Sequence, residues 1–289
     1  MAMSMSVPAW VDRGEYPFEP KELELAPGTM RYVDEGRGKP LVMVHGNPYW
    51  SFEYRRLISD FCRRRRCVAP DLIGFGLSEK PSDWGYLPRQ HAENLTLLLD
   101  SLELREITMV VNDWGGPVGL SYAIAHPERV ANVVITNSWL WSVEDDWYYR
   151  GFSGFVGGPI GGFLIRRFNF FARSVVRSVF GDKKKLTPEL RRHITEPLGR
   201  PEERKGSWVF PREIIGSSDW LESLWAGRGR LQGKVKLIVW GMKDVAFREK
   251  ELNRWAEAFP EARVVRLPEA GHFVAEEAPE ELISAIEAL

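Results

Sequence analysis

A chain of 289 residues, 44% hydrophobic and 27% charged, has the make-up of a soluble globular protein with one large domain and room for an insertion. Its formal net charge of −1 gives no overall pull on nucleic acid or an anionic membrane, so small neutral molecules are the expected partners. No run of about 18 apolar residues is present to cross a bilayer, the opening MAMSMSVPAWVDRGEYPF lacks an export pattern, and Cys62 and Cys67 have neither zinc nor redox spacing, which leaves a reducing cytoplasm and no metal or other cofactor as the expectation.

The first half alternates short apolar runs with helical patterns. Leu41 to His45, Cys67 to Ala69, Ile107 to Val111 and Val130 to Thr136 read as strands; Phe52 to Phe61, Pro88 to Leu102 and Gly115 to Ala125 read as helices. In the second helix Ala92, Leu95, Leu98, Leu99 and Leu102 form one apolar stripe. Strand-helix repetition of this kind predicts a mostly parallel, doubly wound sheet covered on both faces.

After Asn137 the pattern changes to tryptophan and aromatic clusters, glycine-rich turns from Gly151 to Gly162, and amphipathic stretches such as Phe163 to Phe180. Buried-strand pattern returns only at Lys236, with LIVW, a helix from Arg248 to Phe259, the strand ARVVRL and a closing helix after Ala278. One sheet is therefore interrupted by a helical insertion. The division is residues 1–138 and 229–289 for the main domain and 139–228 for a cap over the sheet's carboxyl edge, where such sheets bind ligands. The charged runs at Arg63 to Arg66 and Lys183 to Lys185 are read as solvated faces, and the aromatic, glycine-rich cap leaves room for a homo-oligomer.

The chemistry concentrates at strand ends. MVVNDWGGPVG runs from a strand straight into a helix, placing Asp113 on the tight turn where the α/β-hydrolase fold exposes its nucleophile, here an ionised carboxylate at a helix N-terminus instead of a serine. Alone, Asp113 would be a helix cap. Downstream, however, GMKD puts Asp244 after a strand and LPEAGHF ends the next strand with His272, giving the order nucleophile, acid, base. LVMVHGNPYW places His45 to Pro48 where this fold supplies an oxyanion-hole amide, so the backbone N–H groups of Asn47 and Trp114 are the expected pair and His45 shapes the turn. His91, His126 and His193 sit in or at the end of helices and suit packing or surface roles.

Together HGNPYWSFEYR, PDLIGFGLSEKP, VVNDWGGPVG, GMKD and EAGHFVAEEAP resemble the haloalkane dehalogenases. The resemblance implies that Asp113 is the nucleophile, His272 the base, and Asn47 and Trp114 the halide-binding residues; the partners are then a neutral halogenated alkane, water and a halide ion. Some members of that family carry the triad acid after the preceding strand, where this chain has the uncharged Asn137, so Asp244 is the expected acid. Asp244, Asn137 and Asn47 together are most similar to the third subfamily. Trp139, Trp141 and Trp147 open the insertion and are read as packing aromatics.

Four other readings compete. Epoxide hydrolases share the aspartate, the histidine and the HGxP turn, but need a proton donor for an alkoxide, usually two cap tyrosines. Tyr148 and Tyr149 are adjacent and should diverge on a helix, and Asn47 favours halide. Fluoroacetate dehalogenases place arginines near the nucleophile, where this chain has Trp114 and Gly115. A coelenterazine-type luciferase shares the HGN and DWG elements, and a non-catalytic member of the fold would be free to discard the triad that is complete here.

Overall fold

The computed structural model describes residues 7 to 289; the first six residues of the N-terminal stretch considered above lie outside the described residues. The strands are β1 (Lys21–Leu25), β2 (Gly28–Glu35), β3 (Pro40–Val44), β4 (Arg66–Asp71), β5 (Ile107–Asn112), β6 (Val130–Thr136), β7 (Val235–Gly241) and β8 (Arg263–Leu267). They form one sheet in the order β1-β2-β4-β3-β5-β6-β7-β8. Every pairing from β4 to β8 is parallel, and β1 and β2 add an antiparallel hairpin at one edge. That hairpin is not among the expected strands, although KELEL and GTMRYVDE around an Ala-Pro turn carry a strand-turn-strand signal.

Burial explains the central strands. Every residue of β3 and of β5 is buried, as an interior parallel strand requires. Their side chains alternate: Leu41 and Met43 face a core with Leu57, Ile58 and Phe61 of α1 (Arg55–Phe61), while Val42 and Val44 face the other core. That second core holds Leu95, Leu98 and Leu99 of α2 (Pro88–Ser101) and Val118 and Leu120 of α3 (Gly115–Ala125).

Between β6 and β7 the described chain is helical: α4 (Trp147–Val156), α5 (Pro159–Phe168), α6 (Val176–Val179), α7 (Pro188–Thr195), α8 (Lys205–Gly216) and α9 (Ser218–Ala226). One expectation fails here. Gly151 and Gly154 lie within α4, and Gly161 and Gly162 within α5, so only the short link between those helices is a turn. Packing overrides the weak helix propensity of glycine: a β-carbon on Gly162 would strike the Trp208 indole of α8. The amphipathic stretch Phe163 to Phe180 is helical in pieces, because Asn169 takes a left-handed conformation at φ 55° and ends α5. After β7 come α10 (Glu249–Ala258), α11 (Val274–Glu277) and α12 (Pro279–Glu287).

The strand order reverses between β3 and β5, since the chain builds outward to β4 on one side and to β6 on the other. The turns leaving β3 and β5 therefore lie side by side at the carboxyl edge, the place where doubly wound sheets take ligands.

Candidate active site

Asp113 follows β5 directly and is held at φ +49°, a conformation that costs an L residue about 1 kcal/mol or more. Its N–H donates to the Asn137 carbonyl at 3.0 Å, and its own carbonyl accepts from the Ser138 hydroxyl at 2.7 Å, so the chain leaving β6 braces the turn. Glycine is compulsory on both sides. A β-carbon on Gly115 would collide with the Val44 carbonyl, and one on Gly46 with the Asp113 carboxylate.

The Asn47 backbone N–H donates to Asp113 Oδ2 at 2.8 Å, and the Trp114 backbone N–H also faces this carboxylate. Both expected oxyanion-hole amides thus converge on one group. Asp113 is not the exposed residue expected from its corner position: it is buried, because the helices between β6 and β7 close over it. Burial pushes its carboxyl above the usual range, opposed by His272 and by the two amides.

His272 Nδ1 lies 2.8 Å from Asp244 Oδ2, which fixes the proton on Nδ1 and leaves Nε2 facing Asp113 Oδ1 at 4.0 Å. That gap is too long for a direct hydrogen bond. Burial opposes charging the imidazole, yet the Asp244 anion and its hydrogen bond, helped by Asp113 and Glu53, raise it to about 9. Asp244 is itself held: Oδ2 accepts from Asn137 Nδ2 at 2.9 Å and Oδ1 from the Ala246 N–H at 2.7 Å. The His272 carbonyl accepts from Asn112 Nδ2 at 3.0 Å, and Phe247 stacks on the imidazole at 5.5 Å between centroids.

Sequence reasoning weighed Asn137 only as a missing acid. It also bonds both the carbonyl and the N–H of Gly241, which makes it the clamp that ties the acid loop to β6. Glu53 was overlooked altogether. It is fully buried on the turn after the Asn47 segment, neither carboxylate oxygen has a hydrogen-bond partner among the described residues, and burial pushes its pKa well up, so beside the triad it holds its proton more tightly than an exposed glutamate would. Its only sequence signal is a glutamate within an otherwise apolar helix start, WSFEYRRL.

Asn47, Asp113, Trp114 and His272 open onto a largely apolar cavity of about 820 Å³, mouth included, whose far wall comes from α4 and from Phe171 to Val179. The Trp114 indole packs edge-on against Trp139 at 4.6 Å and near Phe210 at 5.3 Å, and its N–H has no acceptor among the described residues. The Asn47 amide makes only a long 3.4 Å bond to the Ser207 carbonyl, leaving its oxygen unpartnered. Tyr148 and Tyr149 do not diverge as expected: their hydroxyls donate to the neighbouring carbonyls of Val245 and Ala246, at 2.7 and 2.9 Å, because the first turn of α4 lies against that loop. Their protons are thereby committed to the backbone.

The other singled-out residues take quiet roles. His45 accepts from the Leu72 N–H at 3.0 Å, its other nitrogen faces the Gly46 carbonyl, and burial drives it down to about 4, so it shapes the turn as a neutral ring. His91 and His193 are buried among aromatics, Trp141 packs with Trp225 and Trp255, and Trp147 is exposed. Among the described residues there is no group of three or more His, Cys, Asp or Glu placed to hold a metal ion, and no helix long and apolar enough to cross a membrane.

The sheet order, the strained corner at Asp113 and the acid-histidine pair on the next two strand ends define an α/β hydrolase. Comparison with known proteins agrees: the family model described as the alpha/beta hydrolase fold matches residues 39–279. The chain is 37% identical over 284 residues to haloalkane dehalogenase 2 of Mycobacterium tuberculosis, covering 98% of each protein. It is 34% identical to the cis-3-alkyl-4-alkyloxetan-2-one decarboxylase of Shewanella oneidensis, covering 93% of this chain and 87% of that one. A solved mutant of the haloalkane dehalogenase DatA from Agrobacterium tumefaciens superimposes with a TM-score of 0.82 at 25% identity, covering 93% of this chain and 95% of that one. The chain belongs to the α/β-hydrolase family, in its haloalkane dehalogenase branch.

Proposed function

We propose that the protein hydrolyses haloalkanes to an alcohol, a halide ion and a proton through an alkyl ester on Asp113, with residues 139–228 serving as a cap that closes the cavity. The observation that carries this reading is one carboxylate set between two backbone amides, 2.8 Å from the Asn47 N–H, and 4.0 Å from His272 Nε2, at the floor of an apolar cavity.

Asp113 Oδ1, which is not held by Asn47, attacks the halogen-bearing carbon in line; the carbon-halogen bond breaks with its electron pair leaving on the halide. Charge growing on the halogen meets the uncommitted indole N–H of Trp114 and the loosely held amide of Asn47. Water entering from the cavity beside His272 Nε2 then gives a proton to that nitrogen and attacks the ester carbon. Asp113 Oδ2 becomes the oxyanion, already bonded to Asn47 N–H, and Asp244 stabilises the imidazolium. The intermediate collapses by breaking the bond from the carboxyl carbon to Oδ1, His272 returns its proton to that departing oxygen so that the alcohol leaves, and the new carboxylic acid of Asp113 loses the proton that came with the water. Alkylation also removes the Asp113 anion, one of the charges that raise His272, so esterification makes the imidazole a more available base.

The epoxide reading loses support because Tyr148 and Tyr149 spend their hydroxyl protons on carbonyls. A second reading comes from the decarboxylase relative: the same carboxylate can displace a carboxylate leaving group from an alkyl carbon of a strained lactone ring. Incubation with 1-bromobutane, styrene oxide and a cis-dialkyl oxetanone separates the three. Halide release with butanol formation supports the proposal; diol, or alkene with carbon dioxide, without halide release from any short bromoalkane would overturn it.

A further inference from the structure

The overall charge of −1 conceals a division. From Trp147 to Thr195 the chain carries ten Lys and Arg against two acids, Asp182 and Glu189, a local excess of +8 that leaves the rest of the chain at −9. Arg150, Arg166, Arg167, Arg173 and Arg177 are all exposed and make no ion pair among the described residues. Cations with no carboxylate beside them are free to meet an external anion.

The same stretch of chain also exposes apolar side chains. On α5, Ile160 and Phe163 are 66% and 63% exposed, one helical turn apart, and Phe168 at its end is 53% exposed with Arg167 over its ring. On α4, Trp147 and Phe155 are 81% and 51% exposed at i and i+8, and between them Gly151 and Gly154 open onto empty space, making that face flat. Exposed phenylalanine and isoleucine on a helix that buries Gly161, Gly162 and Ile165 on its other side reverse the usual arrangement. Aromatic and aliphatic tips within a basic field are the features of a surface that lies on anionic lipid; a polyanion such as nucleic acid needs the charges but not the tips.

The same elements carry the route to the active site. The cavity wall includes Tyr149 and Phe152 of α4 and Val176 and Val179 of α6, and it reaches the surface beside Ser178, next to Arg177, and beside Val245, which is 48% exposed. We infer that the outer face of α4, α5 and α6 docks the protein on an anionic lipid surface, with the cavity mouth at the rim of the contact. The docking rests on this face alone. That apolar substrate then passes from the lipid into the cavity rests on the dehalogenase reading, and binding is measured without turnover so that the two fail separately.

The test is sedimentation of the full chain with phosphatidylcholine vesicles made with and without phosphatidylglycerol. The protein should sediment only with the anionic vesicles and be released in roughly 1 M salt, where charges are screened beyond about 3 Å. Arg166→Glu with Arg167→Glu, and separately Ile160→Ser with Phe163→Ser, should each weaken binding about tenfold or more while halide release from 1-bromobutane stays unchanged. Three results would overturn the inference. They are no sedimentation with anionic vesicles at low salt, binding that ignores the Ile160 and Phe163 substitutions, or light scattering that reveals a vesicle-free dimer dissolved by these same substitutions, which would assign the face to a second copy.

Discussion

Replacing Asp244 by Asn tests the division of labour between the two steps. His272 stands at about 9 against an ordinary value of 6.5, although burial pulls the other way, and the Asp244 charge and hydrogen bond are its largest supports. That rise corresponds to roughly 3 kcal/mol of stabilisation for the imidazolium, so its loss should slow ester hydrolysis on the order of 10²-fold. An Asn amide that donates to Nδ1 also drives the proton to Nε2, the atom that must take it from water, which adds to the loss. Carbon-halogen cleavage needs no proton, and so should change by no more than about threefold. Rapid-quench halide measurement on Asp244→Asn should therefore record a burst of one halide per site at near wild-type rate, followed by slow turnover. With the anion gone, burial should also shift the base's titration to lower pH in the hydrolysis phase. A burst that slows in step with turnover, or turnover within about threefold of wild type, would refute the reasoning.

Three further outcomes follow from the same geometry. Adding Asn137→Asp to Asp244→Asn should restore at least about tenfold of the hydrolysis rate, because the side chain of residue 137 reaches within 2.9 Å of the oxygen that holds His272; no recovery in single-turnover assays would separate the two positions. Trp114→Phe removes an indole donor and should lower the halide-release burst about 10²-fold to 10³-fold while abolishing halide quenching of that tryptophan's fluorescence; an unchanged burst and quench would remove Trp114 from the halide site. Glu53 has a folded pKa raised above its unfolded value, so the stability it lends at acid pH is lost as pH rises. Glu53→Gln should therefore flatten the fall in melting temperature on the alkaline side, and parallel wild-type and variant curves would show that the buried acid is not what makes stability fall.

Much of the sheet was legible because its strands are buried on both faces and its α2 stripe is regular; β3, β5 and β6 lie within a residue of their expected bounds. The β1-β2 hairpin escaped notice because an edge hairpin is only half buried and its apolar signal is diluted by Lys21, Glu22, Glu24 and Arg31. In the helical segment, glycines and Asn169 gave misleading or missing punctuation, since contacts such as Gly162 with Trp208 are set by tertiary packing.

Asp113, Asp244 and His272 were each visible at a strand end, and the structure brings all three together with the Asn47 and Trp114 amides. The support around them was not visible. Nothing in ITNSW announces that Asn137 reaches Asp244 across β6 and β7, and the burial that shuts Asp113 away from solvent depends on a segment whose packing has no local pattern. A net value of −1 also says nothing of distribution, since it averages the basic stretch from Trp147 to Thr195 against an acidic remainder.

The covalent intermediate can be observed directly by mixing His272→Phe with 1-bromobutane and taking the mass of the intact protein and of its peptides. The proposed mechanism predicts release of about one bromide per site and a stable butyl increment on the peptide containing Asp113, absent from Asp113→Asn. An unmodified Asp113 peptide after stoichiometric bromide release, or a label on any other residue, would contradict it.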